Sequence, residues 1–139
     1  MPDKRIIDFI KNHHLLTLAT SKDDAPYCCN VFYVYNEKNN SLIFSSETKT
    51  KHAIDFIDNP NVAASISLET KDIDKIQGVQ LLGRVIEPKG EEINNATKLY
   101  LKGFPYAQKM KLYLWEMKLT FIKMTHNKLG FGKKLIWEK

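Results

Sequence analysis

The sequence contains only two cysteines, Cys28 and Cys29, and they are adjacent. A disulfide framework needs separated pairs, and cysteine metal sites favour spacings such as C-x-x-C. On a strand, neighbouring side chains point to opposite faces, so these two thiols would not lie together. The pair therefore indicates reduced, cytosolic residues rather than a covalent cross-link.

Long hydrophobic runs are also absent. No segment approaches the roughly 20 apolar residues of a membrane-spanning helix. The first residues, MPDKRIIDFIKNHH, include neither an apolar signal core nor a small-residue cleavage site. We therefore expect a cytoplasmic protein with no membrane partner. The 139 residues predict a single domain over 1–139.

Clusters of catalytic or metal-binding residues are missing as well. His13 and His14 are adjacent and have no nearby group of cysteines or carboxylates, so no metal site is predicted. No Ser–His–acid arrangement is spaced for hydrolysis, and the catalytic residues stay unknown. The net charge of +5 suits nucleic acid, an acidic surface or a phosphorylated small molecule. Most of the lysines are dispersed, which favours a small-molecule partner and no nucleic acid.

The pattern of apolar residues predicts a mainly β protein with short helices. The first half predicts a helix in DKRIIDFIKNHH capped by Asp3, and strands in LLTLATS, PYCCNVFYVYN and LIFSS. A second helix is predicted over roughly Thr48 to Asp58. We expect its apolar stripe to be Ala53, Ile54 and Ile57, and Asn59-Pro60 to end it.

The second half of the sequence also alternates between predicted strands and helices. Strands are predicted in NVAASISLET and GVQLLGRVIEP, where Gly78 and Gly83 suggest a bend or bulge. A helix follows Gly90. The long strand YLWEMKLTFIKMTHN is expected to turn one set of residues to one face (Leu112, Leu114, Glu116) and another set to the opposite face (Tyr113, Trp115, Met117, Leu119, Phe121). A short strand in LGFGKKLIWEK closes the chain.

These six or seven strands, joined mostly by hairpins, predict an antiparallel β-barrel. A barrel of that size fills its own interior with side chains. A ligand is therefore expected on its outside or between subunits.

The stretch SSETKTKHA places hydroxyl and basic residues where the second helix begins. A helix N-terminus has unpaired N–H groups and partial positive charge, which together favour a phosphate. The side chains that add donors or charge are Ser45, Ser46, Thr48, Lys49, Thr50, Lys51 and His52. A threonine-capped surface helix bearing lysines explains the same residues, since the glycines of a P-loop are absent.

The longer run LIFSSETKTKHAIDFIDNPNVAASI resembles the flavin-binding segment of the pyridoxamine 5′-phosphate oxidase-like split barrels. The matching positions are Ser45 and Ser46 at the strand end, Thr50-Lys51-His52 at the helix start, and Asn59-Pro60 at its end. LLTLATSKDDAPYCCNVFYVY and GVQLLGRVIEP extend the likeness to roughly residues 5 to 125. FxxNP, GVQ and LGFGKK segments are similar to those of a small uncharacterised bacterial branch.

The resemblance implies an antiparallel split barrel of the FMN-binding type, acting as a homodimer with flavin in a groove lined by both subunits. Thr50 and Lys51 would hold the FMN phosphate, with His52 in place of a common second basic ligand. Residues predicted beside the ring or its groove are Asn30, Val31, Phe32, Gln80 and Trp137. Trp115 is expected in the core, and Cys29 as a small buried hydrophobe.

The function expected from this resemblance is that of a flavoprotein oxidoreductase. It would transfer hydride or electrons between a nicotinamide or small organic substrate and an acceptor, with the flavin supplying the chemistry. The alternative is a non-catalytic cofactor-binding module, either a haem protein or a flavin sensor. The arginine-bearing C-terminal motif of the true oxidase is not evident, and LGFGKKLIW stands in its place.

Overall fold

The computed structural model describes all 139 residues, Met1–Lys139, as three α-helices, eight strands and three short 3₁₀ turns. The helices are α1 Lys4–Asn12, α2 Lys51–Asp58 and α3 Glu91–Gly103. The strands are β1 Leu15–Lys22, β2 Ala25–Phe32, β3 Val34–Asn36, β4 Ser41–Ser45, β5 Asn61–Ser67, β6 Gln77–Ile86, β7 Leu114–His126 and β8 Lys134–Glu138. The 3₁₀ turns are Ile73–Lys75, Pro105–Lys109 and Asn127–Leu129.

All strands belong to one sheet, in which every pairing is antiparallel. The order is β2-β1-β5-β6-β7-β4-β3, with β8 paired to the second half of β7. β2 and β3 lie at opposite ends of that order, yet only Tyr33 separates them in the chain. The sheet must therefore curl until its two ends approach, which confirms the predicted antiparallel split barrel.

The break at Tyr33 corrects one prediction, since PYCCNVFYVYN is two strands and not one. Tyr33 is buried, its hydroxyl donates to the carbonyl of Ile10 at 2.7 Å, and its N–H donates to the carbonyl of His14 at 2.9 Å. These bonds hold the chain against the end of α1 as it passes from one sheet edge to the other. The run of strand-forming residues carries no local signal of that change of partner.

The core fills the inside of the barrel and takes side chains from two helices. α1 contributes Ile6, Phe9 and Ile10, and α2 contributes Ala53 and Phe56. The predicted α2 stripe is wrong for Ile54 and Ile57, which are 45% and 56% exposed. The buried face is centred instead on Phe56, whose ring meets those of Phe44 and Trp115 edge-on at 5.9 and 4.8 Å. An aromatic ring buries more apolar area than an isoleucine, so it sets the rotation of the helix.

A β-bulge in β7 changes which residues face the core before and after Thr120. Leu82 lies opposite Phe121 and Gly83 lies opposite Leu119, so Thr120 has no partner on β6. The prediction of a bulge at Gly83 is confirmed, and so is the core position of Trp115. The extra residue turns Phe121 to the outer face, which makes the predicted common face of Phe121 and Met117 wrong.

α3 packs on the outer face of β3, β4 and β7 and creates a second apolar cluster. We call this the outer cluster; its buried members are Ile43, Ala96, Tyr100, Ala107 and Leu114. β4 and the first residues of β7, beneath α3, are therefore buried on both faces. For this reason both predicted faces of the first half of β7 are buried, including Glu116.

None of the three helices is both long and apolar enough to cross a membrane.

Gly83 generates a stability prediction, because a Cβ at this position would lie 2.4 Å from the backbone carbonyl oxygen of Lys118. The clash is with backbone, which cannot rotate away as a flexible side chain can. Gly83→Ala should therefore lower the free energy of unfolding by about 1–3 kcal/mol, measured by urea denaturation. Gly78→Ala, on the same strand, meets its nearest atom at 3.1 Å and should cost less. Equal stability of Gly83→Ala and the wild type would contradict the close approach.

Candidate functional site

A cleft of about 440 Å³ lies where the end of β2, the β4–α2 junction and the segment after α3 meet. Small-molecule and cofactor sites have volumes of about 300–1,000 Å³, so the cleft is large enough for one. Its lining residues are Asn30, Val31, Phe32, Ser45, Ser46, Glu47, Thr50, His52, Tyr100, Tyr106, Ala107, Met110 and Leu112. Seven of the ten predicted cofactor residues are among them, all except Lys51, Gln80 and Trp137.

Hydrogen bonds to β7 and the residue before it fix the Ser45-Ser46 corner of the cleft. Ser46 N–H donates to the carbonyl of Tyr113 at 2.9 Å, and Tyr113 N–H donates to Ser45 Oγ at 3.1 Å. The indole N–H of Trp115 donates to the carbonyl of Ser46 at 2.8 Å. The predicted hydroxyl pair is therefore held by three bonds from residues that follow it by almost half the chain.

Thr50 caps α2 and marks the helix start at the cleft. Its Oγ1 donates to the carbonyl of Glu47 at 2.8 Å and accepts from the N–H of Ala53 at 3.3 Å. The N–H groups of Lys51 and His52 precede the first intrahelical bond and have no partner within the chain. These free donors at a helix N-terminus favour an anion.

His52 lies inside this corner and is half-buried. Its Nε2 is 2.7 Å from Ser46 Oγ and 3.4 Å from Thr50 Oγ1. Burial lowers the pKa of His52 below its ordinary value, and the charge of Asp55 offsets part of that shift. Because the ordinary value is about 6.5, burial favours the neutral form of the imidazole. It offers the cleft hydrogen bonding rather than positive charge.

The ammonium of Lys51 is directed to Asp55 and does not line the cleft. Its Nζ lies 2.8 and 2.9 Å from the two carboxylate oxygens of Asp55, which is fully buried. Thr20 Oγ1 on β1 donates to the same carboxylate at 2.8 Å. The bonds from Lys51 and Thr20 hold the pKa of Asp55 below its ordinary value, against the effect of burial.

Two other predicted residues lie away from the cleft. Gln80 is on the outer face of β6, in a mostly apolar hollow of about 360 Å³. Trp137, on β8, is paired with Ile122 and packs at the edge of the barrel core. Within one chain, neither side chain joins the cleft.

Asn30, on β2, lines the cleft but accepts a hydrogen bond from Thr17 Oγ1 at 2.8 Å with its side-chain oxygen. Burial raises the pKa of the neighbouring Cys29 thiol to about 11, which agrees with its interpretation as a small hydrophobe. A thiol with a raised pKa is a poor nucleophile at neutral pH.

The wall of the cleft that follows α3 was not predicted from the sequence. This wall is formed by Tyr106, Ala107, Met110 and Leu112, in and just after the 3₁₀ turn Pro105–Lys109. Phe104 supports it, with its ring centroid 5.5 Å from that of Phe32 and 5.1 Å from that of Tyr100. The apolar residues of FPYAQKMKLY, which follows α3, have neither a helical nor a strand period. Their number in a segment outside the α-helices and strands is the only signal available in the sequence.

Comparison with known sequences gives relatives over almost the whole chain. A UPF0306 protein of Photorhabdus laumondii is 37% identical over 131 residues, which is 94% of this chain and 92% of the relative. A UPF0306 protein of Yersinia pestis is 34% identical over 131 residues, covering 94% of this chain and 89% of the relative. No family model matches the chain.

Comparison with solved structures gives the same fold at low identity. A haem-binding protein from Mycobacterium smegmatis aligns with a TM-score of 0.77 and 18% identity over 90% of this chain, which spans about half (52%) of that protein. A candidate pyridoxamine 5′-phosphate oxidase from Listeria innocua aligns with a TM-score of 0.71 and 12% identity, over 90% of this chain and 98% of that one. A FAD-binding protein from Mesorhizobium loti aligns with a TM-score of 0.72 and 14% identity, over 89% of this chain and 94% of that one. These likenesses confirm the split-barrel fold.

The buried position of His52 generates a prediction of pH dependence. Because its pKa in the folded state is lowered, His52 should titrate below about 6.5 in a ¹H–¹³C NMR experiment, with its signal assigned by its loss in His52→Gln. The folded state disfavours the protonated ring, so this contribution to stability is present above about pH 6.5 and is lost as the pH falls. The free energy of unfolding should fall less between pH 7 and pH 5 in His52→Gln. A midpoint at or above the ordinary value would contradict the role of burial.

Proposed function

The chain belongs to the UPF0306 family, and from its fold and its cleft we propose that it is an FMN-binding flavoprotein with oxidoreductase activity. It would transfer hydride or electrons between a nicotinamide or small organic substrate and an acceptor. The observation that carries this proposal is the meeting, in one cleft, of free helix-start N–H groups, hydroxyls and a free strand edge.

The helix-start corner would bind the FMN phosphate. The donors in the cleft are the N–H group of His52 and the hydroxyls of Ser46 and Thr50, and the free N–H group of Lys51 lies beside them at the helix start. His52 would act as a neutral donor, because burial keeps its pKa low. Lys51 would supply positive charge from beside the cleft while still paired with Asp55. Charge and aligned backbone donors together suit a phosphate better than either alone.

The other walls of the cleft are largely apolar, in contrast to the polar helix-start corner, and would suit a flat ring. Phe32, Tyr106 and Met110 offer apolar and aromatic surface. Asn30, Val31 and Phe32 belong to β2, an end strand of the sheet order that pairs only with β1. Its second edge therefore has backbone groups available to the polar atoms of a ring.

When bound, the flavin would supply the hydride or electron chemistry. The residues of the chain would bind and orient it, and the wall after α3 would limit its contact with water. The titratable side chains lining the cleft are Glu47, His52, Tyr100 and Tyr106. A second candidate function is a non-catalytic cofactor-binding module, because the similar structures include proteins described as haem-binding and FAD-binding.

We further propose that the protein is a homodimer formed through the outer face of β1, β5 and β6. The hollow there is lined mostly by small and apolar residues, among them Ala19, Ala63 and Leu82, and Leu82 is 50% exposed. Small side chains around an exposed leucine allow a second copy to pack closely on this face. Gln80 lies on the same face and outside the cleft of its own chain. It would therefore meet a flavin only in the cleft of a second copy packed on this face.

Purified protein should bind FMN, and the phosphate should account for much of the affinity. Lys51→Ala removes a positive charge beside the helix start, so FMN should weaken about tenfold or more while riboflavin changes little. Flavin fluorescence quenching measures both dissociation constants. Their ratio separates loss of the phosphate contact from general damage after Asp55 loses its partner.

Lys71→Ala is the matched control, because Lys71 is an exposed lysine that does not line the cleft. Equal weakening of FMN and riboflavin by Lys51→Ala would oppose the phosphate role. Oxidation of NADH or NADPH by the FMN-loaded protein tests the oxidoreductase half. A Soret band with haem, and no flavin binding, would favour the second candidate instead.

The dimer proposal predicts the effect of a charge in the outer hollow. Leu82→Glu should convert a dimer to a monomer in light scattering coupled to size-exclusion chromatography, because a desolvated carboxylate in an apolar interface is costly. Ile57→Glu places the same charge on exposed α2 and should leave the dimer intact. A Leu82→Glu protein that remains dimeric would rule out this face.

A further inference from the structure

Glu116 is a buried acidic side chain that lies outside the cleft. It sits on β7 between Ile43 of β4 and Ile86 of β6, on the outer face of the sheet, and is 2% exposed. Its Oε1 has no hydrogen-bond partner. The nearest cation is Lys118 Nζ at 4.0 Å, which is beyond hydrogen-bond distance.

Glu116 lines a polar pocket of about 560 Å³ between the β3–β4 hairpin and the first half of α3. The other polar residues of the pocket include Asn36, Lys38, Glu92, Asn95 and Lys98. Ser41 lies in the next row of the same sheet face, paired with Asn36 on one side and Lys118 on the other. Ser41 Oγ is also buried without a partner.

A buried carboxylate is costly unless a donor or a cation meets it, and buried polar atoms in native proteins are nearly always paired. The unpartnered oxygen of Glu116 therefore favours a cationic hydrogen-bond donor in the pocket. A metal ion fits poorly, because no three His, Cys, Asp or Glu side chains come together anywhere in the chain. An ammonium group needs fewer fixed ligands and donates three hydrogen bonds.

The rim of the pocket carries charge of both signs. Lys38 and Lys98 are exposed there, as is Glu92. A ligand with an ammonium at the Glu116 end and a carboxylate at the rim would complement both the buried group and the two lysines. The pocket volume is within the range of small-molecule sites.

We propose that this pocket binds a small zwitterionic molecule of the amino-acid class, with Glu116 anchoring its ammonium group and Lys38 and Lys98 facing its carboxylate. The site is distinct from the cleft, because the two have no lining residue in common. α3 connects the two, with Glu92, Asn95 and Lys98 at the pocket and Tyr100 at the cleft.

An NMR titration tests this site with free amino acids as probes. At least one amino acid should shift the amide signals of Asn36, Ser41 and Glu116 to saturation, and its N-acetyl derivative, which lacks the ammonium, should bind at least about tenfold more weakly. Glu116→Gln keeps the shape of the side chain and should weaken binding by a similar factor. Glu87→Gln, an exposed residue just after β6, should bind as the wild type does.

Three results would overturn the proposal. One is the absence of a saturable shift at these amides with every common amino acid. Another is unchanged affinity in Glu116→Gln, which would remove the anchor. The third is saturation of the same amides by sodium or potassium chloride alone, which would assign the pocket to an inorganic cation. Because FMN is not part of the titration, each result is independent of the flavin proposal.

Discussion

The fold depends on one covalent constraint: β2 and β3, at opposite ends of the sheet order, are joined through the single residue Tyr33. A flat sheet of seven strands spaced roughly 4.8 Å apart would hold those strands far beyond the reach of one residue. The sheet must therefore curl, and the buried hydroxyl of Tyr33 ties the crossing point to α1. The same curl brings the free edge of β2 near the β4–α2 junction, which forms the cleft.

A second polar anchor sets the position of α2 within that frame. The buried carboxylate of Asp55 joins Lys51 of its own helix to Thr20 of β1. Removal of either partner from a buried charge is more harmful than removal of an exposed ion pair. The helix start is thus fixed from below by Asp55 and from the side by Ser46 and His52, so its free N–H groups have a defined direction.

Local signals in the sequence were sufficient for much of this. Asp3 as the cap of α1, Asn59-Pro60 as the end of α2 and the core position of Trp115 were each predicted from residues a few positions apart, and each matches the structure. The helix-start residues of the site were found for the same reason. Errors arose where distant residues decide. The crossing at Tyr33, the rotation of α2 towards Phe56 and the outward turn of Phe121 depend on partners elsewhere in the fold. The apolar residues of the cleft wall after α3 follow no regular period. Asp55 is buried against Thr20, a residue of a distant strand, so nothing near Asp55 in the sequence indicates its burial.

The position of β7 has a consequence for how the chain reaches this structure. β7 is 13 residues long and pairs with β6, β4 and β8, so it links more strands than any other element. Its residue Leu114 pairs with Ser45, far earlier in the sequence. Contacts so distant along the chain slow folding, because the intervening loop must close before they form. During synthesis, the half-barrel made by the earlier strands would keep its apolar interior exposed until β7 leaves the ribosome. A chaperone would be most useful during that interval.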